Sequence, residues 1–205
     1  AQDTCDDQSD CGPFDPFGGP FCMKPGDDQP FQCHNPGCAV PGRPFLVEDS
    51  ARLAGVEVRS DWSERGLCPS LEGFTPAQLQ TLAAHWTRIG LMEHASVAAF
   101  ARSAMQLMAL GVPPDLLIDT QRAMSDETRH ARQAFALASA YAGAPVGPGP
   151  LCMDGALGDV DLRAVVEITI HEGCIGETVA AIEAAEAAER VQDPVVKAVL
   201  LRIAE

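Results

Sequence analysis

Glu127 and His130, in the stretch Asp126-Glu127-Thr128-Arg129-His130-Ala131, place a carboxylate and an imidazole three residues apart. On a helix that spacing puts both side chains on one face, about a turn from each other. Imidazole and carboxylate together suit Fe, Mn or Zn. The same face carries Ala123, Ala131, Ala134, Phe135 and Ala138, so the pair is expected to point into a core. Glu93 stands on the preceding helical stretch, with Trp86, Ile89, Val97, Phe100 and Ala104 on its own face. A buried carboxylate without a partner is costly. Inward carboxylates on two consecutive helices call for a common partner, and one metal ion serves both.

The elements that must hold these residues are marked by their ends. Thr75-Pro76-Ala77-Gln78 supplies an N-cap, a proline at the first helical position and a capping-box partner. The first helix is predicted to run from there to about Leu110, with Gly111 as its stop. Pro113-Pro114-Asp115 opens a second helix ending near Ala142, before Gly143. Asp159 or Asp161 caps a third that extends to about Val191, and Asp193-Pro194 opens a fourth. The short links after Leu110 and around Gln192 make two antiparallel hairpins. Residues 143–160 form a long Pro/Gly-rich connection able to run the length of the bundle. Two hairpins joined by one long crossover is the ferritin-like topology: an all-α, left-handed four-helix bundle over residues 75–205.

The third helix offers Glu172 or Glu177 as a further ligand. Glu172 is preferred, because it shares a face with Val165, Ile168, Ile175 and Val179. On an α-helix Glu177 would lie about 140° away, among alanines. His94 and His171 adjoin Glu93 and Glu172 but point elsewhere, and Cys174 is expected as a small buried hydrophobe. Gly173 and Gly176 each cost about 1 kcal/mol against alanine within a helix; tight packing and space for a ligand both account for them.

Before residue 70 the composition changes. Residues 1–70 hold six of the eight cysteines, Phe14, Phe17, Phe21, Phe31 and Phe45, and recurrent Pro-Gly turn signals without helical periodicity. The segment reads as an irregular module held by disulfides, and a disulfide reading is preferred over zinc for Cys33-His34-Asn35-Pro36-Gly37-Cys38. The cysteine density and a start at Ala1 fit the mature form of an exported protein, periplasmic, cell-surface or extracellular. A net charge of -15 argues against nucleic acid and anionic membrane surfaces, and no apolar run is long enough to span a bilayer.

Leu91-Met92-Glu93-His94-Ala95-Ser96-Val97-Ala98-Ala99-Phe100, Asp126 to Ala131, and Glu172-Gly173-Cys174-Ile175-Gly176-Glu177-Thr178-Val179-Ala180-Ala181 resemble the exported, Cys-rich ferritin-like proteins of myxobacteria and their relatives. The resemblance covers residues 60–205. It implies a di-metal carboxylate site, with Fe or Mn held by Glu93, Glu127, His130 and Glu172, handling oxygen or peroxide as an oxidoreductase would. In that family the fourth helix continues into a second Glu-x-x-His. Here Glu205 lies 33 residues after Glu172, against 34 between Glu93 and Glu127, so that motif falls at or beyond Ile203-Ala204-Glu205. The alternative is a metal-free scaffold acting as a secreted structural or interaction subunit. Its protein partner, or a second copy of itself, would dock through the Phe-rich N-terminal module.

Overall fold

The computed structural model describes residues 21–23, 32–34, 45–48, 50–158 and 160–205. The chain forms two compact units, Ala1–Val40 and Pro41–Glu205. In the first, strands β1 (Phe21–Met23) and β2 (Gln32–His34) pair antiparallel, with Cys22 opposite Cys33. Phe14, Phe17, Phe31 and most of the Cys-rich segment lie outside the described residues.

The second unit is mostly helical. The first helix, α1 (Pro76–Ala109), begins on the expected capping box. The Gln78 backbone N–H donates to the Thr75 hydroxyl at 3.3 Å, and the Thr75 N–H donates to the Gln78 side chain at 2.9 Å. Helix α2 (Pro114–Ala142) returns alongside α1 and stops at Gly143, whose φ of 65° is the left-handed C-cap conformation that favours glycine. Asp161 caps the next helix, accepting from the Ala164 N–H at 2.9 Å, while Asp159 lies outside the described residues. Asp193 caps the last, α5 (Pro194–Ile203), accepting from the N–H groups of Val195 and Val196 at 2.8 and 3.0 Å.

The third helix departs from expectation. It is not one α-helix: α3 (Leu162–Ile168) passes into a π-helical segment, Thr169–Gly176, and then into α4 (Glu177–Arg190). A π turn bonds residue i to i+5, so residues five apart stack on one face. Gly173 and Gly176 lie within this wide turn, which accounts for two poor α-helix formers there.

The core sits between α1 and α2. Trp86, Ile89, Met92, Ala95 and Ala99 meet Ala131, Ala134, Phe135, Leu137 and Ala138, all buried. Alanine keeps the two helices close, and Gly90 closer still: a Cβ there would lie 2.9–3.0 Å from the buried Phe135 ring. Very little of this unit is strand. Strands β3 (Leu46–Val47) and β4 (Ser50–Ala51) pair with each other, while β5 (Val56–Glu57) pairs with β6 (Gly147–Pro148) of the crossover. Arg59 fixes that crossover, donating to the Pro148 carbonyl at 3.0 Å and to both Asp61 carboxylate oxygens at 2.6 and 2.7 Å. Phe45 packs in a second cluster with Val47, Ala95, Ala99 and Ala156. Among the described residues no helix is long and apolar enough to cross a membrane.

Candidate metal centre

Glu93 is set by its place in the middle of α1, seven residues after Trp86 and one after Met92, both buried against α2. Glu127 and His130 come from the facing stretch of α2, just before the buried residues Ala131 and Gln133 to Ala138. The helical period therefore turns all three inward. One ligand atom from each lies within 4.8 Å of the others. The His130 Nδ1 stands 3.9 Å from Glu93 Oε2, and both side chains are nearly out of solvent. Glu127 is buried.

Burial governs the protonation of the group. Desolvation pushes the Glu93 carboxyl up to about 7; a hydrogen bond with Glu127 opposes the rise, and the charge of Glu177 adds to it. Burial also lowers His130, against the raising influence of Glu127 and of a backbone hydrogen bond at Arg202. The last contact ties the imidazole to α5, orienting the ring from outside the cluster. Near neutral pH, then, the centre holds a neutral imidazole and two carboxyls close enough to share a proton.

The structure brings Glu93, Glu127 and His130 together, one donor atom of each within 4.8 Å of the others, and Glu172 is not one of those three. Glu172 is buried on the inner face of the π segment and lines a cavity of about 290 Å³ with Arg102, Gln106, Val165 and Ile168. Its charge acts on the half-buried Arg102 guanidinium, while the charge of Glu177 acts on Glu93. Glu172 and Glu177 were expected about 140° apart on an α-helix, whereas the i to i+5 turn sets both on the inward side.

His94 stacks edge-on against Trp62, with ring centroids 4.9 Å apart, and burial lowers its pKa. His171 is exposed. Cys174, expected in the core, is exposed and free, as are Cys68 and Cys152; the π segment turns it outward. Sequence reasoning passed over Arg102, which bonds the Leu46 carbonyl and lies 5.0 Å from the Phe45 ring centroid. Nothing local signals that role, because β3 is remote in sequence. The backbone of Arg202 was likewise passed over, since carbonyls carry no sequence mark. No protein-family model matches this chain, and neither the curated proteins nor the solved structures contain a significant match.

Proposed function

We propose that the chain is a ferritin-like bundle protein whose Glu93, Glu127 and His130 hold iron or manganese. The observation that carries this reading is the buried Glu-Glu-His group with donor atoms within 4.8 Å. Donors at about 2.0–2.2 Å from one ion stand at most about 4.4 Å apart, so small side-chain rotations suffice. Two carboxylates and an imidazole are a donor set for Fe or Mn. Glu127 lies between the other two ligands in role, hydrogen-bonded to Glu93 and electrostatically coupled to His130. Glu177, whose charge reaches Glu93, is the third-helix carboxylate best placed to join them; Glu172 remains with Arg102.

Bound there, iron or manganese would supply electron transfer to oxygen or peroxide, making the protein an oxidoreductase. The chain's own part is to exclude water with Trp86, Met92 and Phe135, to keep His130 neutral, and to accept or release the proton between Glu93 and Glu127. The cysteine density of residues 1–38 fits an exported protein with a disulfide-held leader, and the Cys22–Cys33 register places two cysteines opposite each other.

A second reading, the metal-free scaffold, draws on one observation: the Glu93–Glu127 hydrogen bond already gives the carboxyls a partner without metal. Elemental analysis of the natively purified protein, with Mn²⁺ and Fe²⁺ titrations of the stripped protein, separates the two. The metal reading expects bound Fe or Mn and loss of binding in Glu127→Ala. Metal-free protein, with Glu127→Ala unchanged in stability and activity, would leave the scaffold.

A further inference from the structure

The rod formed by α3, the π segment and α4 has a buried inner face and an apolar outer one. Its inner face is closed by Val165, Glu172, Ala184 and Ala188, all buried. Its outer face carries Leu162, Val166, Ile170, Ile175, Val179 and Ile182, each between 46% and 61% exposed. Their spacings are four, four, five, four and three residues. The single five-residue step, from Ile170 to Ile175, falls inside the π segment. There residues five apart share a face, so the six side chains stay in one stripe.

The stripe is close to a palindrome. Counted from its midpoint, between Glu172 and Gly173, Ile170 mirrors Ile175 and Val166 mirrors Val179, while Leu162 mirrors Ile182 to within a residue. We propose that this stripe is an isologous interface, on which a second copy of the chain packs its own rod antiparallel about a two-fold axis at the midpoint. A two-fold interface requires a surface complementary to itself, and matched Ile, Val and Leu/Ile pairs supply that.

Charge agrees with the same register. Arg163 flanks one end of the stripe, and Glu183 and Glu186 flank the other. Antiparallel pairing sets Arg163 of each copy beside Glu183 of the other, twice per dimer. Arg163 now bonds Glu167 on its own helix at 2.8 Å, at an exposed site where release costs little. Parallel packing would instead set Arg163 beside Arg163. A membrane is a poor occupant, because the chain carries -15 and glutamates border the stripe. Six half-exposed aliphatic side chains offer several hundred Å², the scale at which apolar patches mark interaction sites. Two such faces bury on the order of 1,000 Å², the lower bound for a specific interface.

Sedimentation equilibrium of the full chain, at micromolar concentrations and in reductant, is the test. The wild type is expected as a dimer. Ile170→Glu and Ile175→Glu, each acting twice in a symmetric dimer, are expected to raise its Kd more than tenfold while leaving the helical circular dichroism unchanged. Arg163→Glu should weaken the dimer, and Arg163→Glu combined with Glu183→Arg should restore it. A monomeric wild type overturns the proposal, including the outcome in which residues 1–44 cover the stripe. A dimer insensitive to Ile170→Glu and Ile175→Glu overturns it as well. Dimerisation without rescue by the charge exchange overturns the antiparallel register. If both glutamate variants unfold, Ile170→Ser and Ile175→Ser replace them under the same criteria.

Discussion

Glu93→Gln should make the metal-free protein more stable at alkaline pH, though it alters a buried residue. The Glu93 carboxyl is pushed from an ordinary 4.5 up to about 7 by desolvation. The folded state therefore binds a proton that the unfolded chain releases, and stability is lost as pH rises through this interval. At about 1.4 kcal/mol per pH unit the full interval is worth about 3 kcal/mol. About 2 kcal/mol of it accrues between pH 5.5 and 8. Glutamine has the shape of the protonated acid and can still donate to Glu127, but it does not titrate. His130 works in the opposite sense: its lowered pKa adds stability as pH rises towards its unfolded value. Only the difference between variant and wild type isolates Glu93. The assay is urea unfolding in EDTA at half-unit steps from pH 5.5 to 8. The difference should grow by about 2 kcal/mol in favour of the variant, and saturating Mn²⁺ should reverse it by stabilising only the wild type. Parallel stability curves for the two proteins in EDTA would refute the reasoning.

Gly90→Ala should destabilise by about 1–2 kcal/mol in denaturant titration, because overpacking against the Phe135 ring outweighs the gain in helix propensity. Adding Phe135→Leu should make the pair less costly than the sum of the two changes. Asp193→Ala should cost about 1–2 kcal/mol through loss of the α5 cap. By loosening the helix that holds the His130 ring at Arg202, it should also lower Mn²⁺ affinity about tenfold in calorimetric titration.

The parts of the fold that were legible in the sequence are those written locally. Thr75-Pro76 with Gln78, Gly143, Asp161 and Asp193-Pro194 each start or stop a helix through their own backbone or cap, and the observed ends fall there. The Glu127–His130 pair was legible for the same reason, and Glu93 because its neighbours share an apolar face. The third helix was misread where a 3.6-residue period was assumed. Glu172 to Glu177 and Ile170 to Ile175 are both five-residue steps, a pattern that an α-helix scatters and a π turn aligns. Arg102 was illegible, since its partners Phe45 and Leu46 reach it only through the tertiary fold.

The wide turn at Thr169–Gly176 separates chain length from facial orientation. With one residue fewer, the same rod could run as ordinary α-helix, and the intervals between Glu172 and Glu177, and between Ile170 and Ile175, would shorten from five to four. Four is the spacing that keeps an α-helical face continuous, so both sides of the rod would survive the loss. A deletion of Gly173 should therefore be tolerated, whereas removing one alanine from Ala184–Ala188 would swing every later residue by about 100°. The wide turn around the buried Glu172 thus adds length to the rod while leaving the orientation of both its sides unchanged.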